Sequence, residues 1–183
     1  MAPAPLRSTA NGATEPGRAD TASARLFFAL WPDEATRCAL LAHQACWRWS
    51  RASRRTRGER LHATLLFLGD AIDRERIAEL VSLCPRWPRP VELVLDAAQV
   101  WPRGIAVLGA SQVPEPLIEA HDALRAACGA PARPWRAHVT LARQAEGALP
   151  PQQFPPIAWR VERAVLVESD LRPPGHYRVL GEI

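Results

Sequence analysis

Two six-residue segments of this chain, Arg60-Leu61-His62-Ala63-Thr64-Leu65 and Arg136-Ala137-His138-Val139-Thr140-Leu141, share the pattern R-x-H-x-T-L. The pattern restricts the fold because it alternates. In a β-strand successive side chains point to opposite faces. Arg60, His62 and Thr64 would then share one face, with Leu61, Ala63 and Leu65 on the other. Arg136, His138 and Thr140 repeat the arrangement. Each segment reads as a strand with an apolar face to bury and a polar face to present. Two copies in one chain of 183 residues point to an internal duplication around a shared cleft.

The polar faces carry a chemistry that needs two copies. Alternate residues of a strand lie about 6.6 Å apart, so one His and one Thr reach the same small anion, such as a phosphate. Hydrolysis at phosphorus requires a base to take a proton from water and an acid to protonate the departing oxygen. Histidine, with an ordinary pKa of about 6.5, serves in either role near neutrality. Each positioned proton transfer contributes roughly 10²–10⁴ in rate. Two threonine hydroxyls donate to the non-bridging oxygens. The residues alone are symmetric, and either His could be the acid. No carboxylate or third ligand stands beside either His in the sequence, so no metal and no cofactor are expected, and a metallohydrolase is disfavoured.

Along the chain, Arg25–Leu30 reads as a buried strand and Pro32-Asp33-Glu34 as a helix start. Ala35 to Trp49 reads as an amphipathic helix. Arg60–Leu68 is a strand expected to stop at Gly69-Asp70, and Ile72–Leu83 a second helix. Pro85, Pro88 and Pro90 read as a connection. Val91–Val100 and Gly104–Gly109 form a hairpin around Trp101–Gly104. Glu115–Cys128 is a third helix closed by Gly129. Arg136–Leu141, Arg160–Glu168 and Tyr177–Leu180 are further strands. Hairpins and irregular strand spacing predict an α+β fold on antiparallel sheet.

Residues 1–24, rich in Ala, Pro, Ser, Thr and Gly and without an aromatic residue, read as a disordered tail. No apolar run approaches the ~20 residues of a membrane-spanning helix, and no membrane partner is expected. Cys38, Cys46, Cys84 and Cys128 contain no CxxC pair, which fits reduced thiols and a cytoplasmic location. All 23 basic residues are arginine, and the formal net charge is +4. Arginine holds planar anions such as phosphate in two-point contacts. Arg48, Arg51, Arg54, Arg55, Arg57 and Arg60 crowd the stretch before the first motif, with Trp47 and Trp49 among them. That combination suits a single-stranded RNA path as well as a solvated loop. His43 and His121 read as surface or helix-packing residues. Trp87, Trp101, Trp135 and Trp159 read as seals over loops.

HATLLFLG at 62–69 and HVTLAR at 138–143 resemble the two signature motifs of the 2H phosphoesterases, specifically the RNA 2′,3′-cyclic phosphodiesterase or 2′-5′ RNA ligase family. RLFFALWPDE at 25–34, VLVES at 165–169 and GHYRVL at 175–180 resemble that family's opening and closing segments. The resemblance implies two pseudo-symmetric lobes of antiparallel sheet with flanking helices, facing across a central cleft as one bilobal domain over residues 25–183. It implies His62 as general acid, His138 as general base, and Thr64 and Thr140 as phosphate holders, with Arg143 as a further phosphate contact. The implied partner is an RNA end or small nucleotide bearing a 2′,3′-cyclic phosphate, opened to a 2′-phosphate, with reversible 2′-5′ RNA ligase activity in the same site. A monomer is expected. A cyclic phosphodiesterase of small nucleotides and a non-catalytic RNA-binding protein using the same cleft are the competing readings.

Overall fold

The first strand already shows how two surfaces are built from one sequence. In the computed structural model, which describes residues 23–170 and 176–180, β1 (Ser23–Leu30) buries Leu26, Phe28 and Leu30 on one face and Phe27 and Ala29 on the other. β1 starts two residues earlier than the sequence suggests. Ser23 and Ala24 pair with Asp73 and Ile72, so the expected tail boundary at residue 24 is corrected to include these two in the sheet. The rest of that tail lies outside the described residues. α1 (Glu34–Ala45) follows, capped by the Asp33 carboxylate, which accepts the Thr36 backbone N–H at 2.7 Å.

The remaining strands are β2 (Arg54–Arg55), β3 (Ala63–Asp73), β4 (Arg86–Leu95), β5 (Ala97–Trp101), β6 (Ile105–Gly109), β7 (His138–Arg143), β8 (Ile157–Ser169) and β9 (Tyr177–Leu180). They form a nine-stranded sheet ordered β4-β8-β1-β3-β7-β6-β5, with β2 added to β7 and β9 to β8. The strand pairings are antiparallel, in agreement with the α+β expectation. The two motif strands, β3 and β7, are neighbours at the centre.

One face of the sheet carries the main core. Leu40 of α1, Leu80 of α2 (Ile77–Ser82) and Leu117 and Leu124 of α3 (Glu115–Ala127) join Phe28, Leu65, Leu93, Leu108, Leu141 and Trp159 there. A smaller cluster, Phe27, Ala29, Val165 and Val167 with Trp31, Tyr177 and Val179 against it, lies apart from that core. Alternation along β1 places it on the opposite face.

Several boundaries differ from the sequence reading. β3 runs through Gly69 to Asp73 because β1 supplies partners as far as Ser23. The second helix shortens to Ile77–Ser82. Pro88 and Pro90 lie inside β4, which is possible because β4 ends the sheet order and its register breaks between Arg86 and Val91. Val91–Val100 is two strands, not one. Asp96 interrupts it, its carboxylate accepting from the backbone N–H and hydroxyl of Ser111.

Both motif strands carry the same irregularity. In β3, Phe28 pairs with Leu66 and Ala29 with Thr64, so Leu65 is skipped. In β7, Ala106 pairs with Ala142 and Val107 with Thr140, so Leu141 is skipped. An extra residue re-aims the side chains beyond it. Leu65 and Leu66 both face the main core, as do Leu141 and Ala142. Phe67 and Arg143, each five residues after its motif histidine, therefore return to the polar face.

Candidate active site

Ala63 and Val139 are register partners across β3 and β7, and both are fully buried. One step to either side sets His62 level with Thr140 and Thr64 level with His138. Directly opposite residues share a face, so the four polar side chains form two transverse rows, each with one member from each repeat. The expected alternation is present: Leu61, Ala63 and Leu65 are buried, as are Ala137, Val139 and Leu141, with the His and Thr between them only partly covered.

Each histidine is oriented by its own strand. His62 Nδ1 lies 2.7 Å from the Arg60 carbonyl oxygen, and His138 Nδ1 lies 2.7 Å from that of Arg136. A carbonyl only accepts, so Nδ1 carries the proton in both neutral rings and Nε2 presents a lone pair. The Thr64 hydroxyl donates to His62 Nε2 at 3.1 Å. The arginine two residues before each His thus contributes through its backbone. Arg60 also places its guanidinium 5.1 Å from the centre of the Tyr177 ring.

The two rings differ in their surroundings. Phe27 stacks on His62 at 4.9 Å, Trp31 stacks at 5.7 Å, and Tyr177 meets it edge-on at 5.4 Å. Burial in this aromatic socket pushes the His62 pKa down to about 4, against the Arg60 carbonyl, which favours the charged ring; His138 and Arg143 push it further down. His138 meets one aromatic, Trp101, at 4.4 Å. Its pKa is also lowered, first by burial and then by Arg143, with the Arg136 carbonyl opposing.

A cavity of about 700 Å³ opens over the site, lined by His62, Thr64 and Thr140, with Arg143 and Tyr177. His138 stands at its margin beside Trp101 rather than in its lining. At one end the wall is Arg54, Arg55, Thr56 and Arg57; at the other are Phe67 and Arg25. Phe67 is 44 % exposed, with the Arg25 guanidinium 4.8 Å from its ring centre.

Of the sequence-derived site residues, His62, Thr64, Thr140 and Arg143 converge on this cavity, and His138 joins them through its row with Thr64. Tyr177 lines the cavity whereas His176 is exposed outside it. Trp101 and Trp135, read as loop seals, instead contact the motifs directly. Trp47 and Trp49 stack on each other at 5.0 Å and Trp47 is buried, so that pair is not an RNA platform. The socket of Phe27 and Trp31 was hidden in the sequence, its only signal being the alternation of β1. Among the described residues, no three His, Cys, Asp or Glu side chains form a group able to hold a metal ion, and no helix is long and apolar enough to cross a membrane.

Comparison with known proteins reaches the same place. The family model of the 2′-5′ RNA ligase superfamily matches residues 39–173. The chain is 34 % identical over 139 residues to the RNA 2′,3′-cyclic phosphodiesterase of Escherichia coli, covering 71 % of this chain and 78 % of that protein. It is 31 % identical over 173 residues to the protein of the same name from Thermus thermophilus, covering 82 % and 84 %. The crystal structure of E. coli LigT complexed with phosphate superposes with a TM-score of 0.72 at 27 % identity, over 88 % of this chain and 96 % of that one. With its paired motifs on adjacent central strands, the chain belongs to the 2′-5′ RNA ligase superfamily.

Proposed function

We propose that this protein is an RNA 2′,3′-cyclic phosphodiesterase that opens a terminal cyclic phosphate to a 2′-phosphate by two-histidine acid–base catalysis. The observation that carries the reading is the pair of transverse rows: each brings a His of one repeat level with a Thr of the other, both on the polar face. A phosphate between the rows meets a hydroxyl and an imidazole Nε2 from either side. The relatives' shared name supplies the reaction class.

In this reading His138 is the base. Its Nε2 takes a proton from water as the water oxygen attacks phosphorus. The P–O3′ bond breaks, and His62 donates its Nε2 proton to the leaving O3′, producing a 2′-phosphate and a 3′-hydroxyl. Solvent exchange then returns each ring to its starting state. His62 is neutral in the free protein at neutral pH, so its proton must be held by the anionic substrate. Replacing water by a phosphate within contact distance favours the imidazolium. A ring of low proton affinity is also a strong acid once charged, which suits transfer to a poor leaving group. Thr64 and Thr140 hold the non-bridging oxygens, and Arg143 neutralises the charge that grows on them. Run in the same direction with a 5′-hydroxyl in place of water as the nucleophile, the same steps join two strands through a 2′-5′ linkage.

The test is hydrolysis of a cyclic-ended RNA by the purified protein in EDTA, with product identified as the 2′-phosphate. His62→Ala and His138→Ala should each lose at least about 10²-fold in kcat. Activity that vanishes in EDTA and returns with metal, or that survives in either variant, overturns the mechanism.

A further inference from the structure

Arg54 of β2 is the register partner of Arg143 of β7. Like charges directly opposite across a ladder are destabilising, yet Arg54, Arg55, Arg57 and Arg143 all line the same end of the cavity, whose lining contains no Asp or Glu. Among the described residues, no ion pair joins any of these four to a carboxylate. A cyclic phosphodiester carries one negative charge, which Arg143 can answer. Three guanidinium groups are left over.

The backbone beneath them is held from behind. The side chain of Gln44, buried on α1, donates through Nε2 to the carbonyl oxygens of both Thr56 and Leu141 at 2.9 Å. The Thr56 N–H reaches the Leu141 carbonyl at 2.7 Å. Two residues further on, Arg37 donates to the Gly58 carbonyl at 2.7 Å. A buried amide and a partly buried guanidinium thus fix a segment whose own arginine side chains are exposed. A merely solvated loop has no use for that support, whereas an anion site gains from it, because less conformational freedom is lost on binding.

We infer that Arg54, Arg55 and Arg57 form a second phosphate subsite, for the phosphodiester on the 5′ side of the reacting nucleotide. Such a subsite makes the protein prefer a cyclic-ended strand to an isolated cyclic mononucleotide. This rests on the phosphodiesterase reading above and adds to it the residues that hold the strand beyond the reacting nucleotide. The shared chemistry is a phosphate 5′ to the reacting ribose, which an RNA chain or a 5′-phosphorylated mononucleotide can supply.

The experiment compares kcat/KM for a 2′,3′-cyclic mononucleotide, the same nucleotide with a 5′-phosphate, and a cyclic-ended trinucleotide. Wild-type protein and the triple variant Arg54→Gln/Arg55→Gln/Arg57→Gln are both measured. The wild type should favour the two substrates with the extra phosphate by about tenfold or more at low salt. That preference should collapse in the triple variant, and the slope of log(kcat/KM) on log salt for the trinucleotide should shrink by about 2. A trinucleotide that outruns the 5′-phosphorylated mononucleotide, with the excess lost in the variant, assigns the subsite to the RNA strand. Equal turnover of all three substrates by the wild type, or a preference that survives in the variant, overturns the subsite. If none is turned over, the phosphodiesterase reading fails. Binding of a fluorescent trinucleotide ending in a 3′-phosphate then decides the subsite alone: weakening of about tenfold in the variant supports it, and unchanged affinity overturns it.

Discussion

Trp135 donates its indole N–H to the backbone oxygen of Thr64 at 3.0 Å, tying the approach to the second motif to the body of the first. Its ring stacks on His121 of α3 at 5.5 Å. Beside the Ala63–Val139 pair, this indole is a side-chain link between the two repeats, and it fastens the residue that bonds His62.

Trp135→Phe keeps the ring and removes the donor. Leaving a covered carbonyl without its partner costs about 1–2 kcal/mol, measurable by urea unfolding. Its kcat should fall between wild type and Thr64→Ala. A variant with reduced stability and wild-type kcat would show that the indole holds the fold without positioning Thr64.

The pH dependence of kcat/KM rests on the two depressed histidines. The proposed reaction needs one proton on the pair, and both rings lose theirs below the ordinary value of about 6.5. As pH falls from 8, kcat/KM should rise and peak on the acid side of that value, then fall as the pair takes a second proton. Arg143 lowers both rings, so Arg143→Gln should move the whole profile to higher pH while reducing its height. A flat profile from pH 6 to 9 would contradict this.

Trp101 covers His138 as three aromatics cover His62. Trp101→Ala lets water reach the His138 ring, and its pKa should climb back toward the ordinary range. The signature is an upward shift of the alkaline limb of kcat/KM, with His138 followed directly by NMR titration.

Stability should also report the socket. His62 binds its proton near pH 4 when folded but near 6.5 when unfolded, so the unfolded state takes up the proton first as pH falls. The folded protein therefore loses up to about 3 kcal/mol between pH 6.5 and 4, an order-of-magnitude figure. His62→Gln removes that loss, and its unfolding free energy should vary less over this window. Equal slopes for wild type and variant would show that His62 is not held neutral by burial.

The part of the site legible in sequence was the part written in alternation. Leu61-His62-Ala63-Thr64-Leu65 sorts itself into two faces with no knowledge of the partner strand, and so does its repeat. What could not be read depends on partners distant in the chain. The register sets Ala97, through Gly109, level with His138, so Trp101, four residues further along β5, reaches that histidine only because its ring lies back along the sheet. Phe27 reaches His62 because β1 lies beside β3. β4 looked like a connection because three prolines within six residues suggest a loop, whereas the end of the sheet tolerates a missing donor.

The skipped leucines carry a consequence of their own. By sending two successive residues into the core, each motif strand gains one outward position that takes no part in its His–Thr pairing. One copy fills it with an aromatic ring, Phe67, and the other with a cation, Arg143. The two motif strands can thus keep matching His–Thr rows while the two ends of the cavity diverge, and a repeated pattern yields a site with a direction.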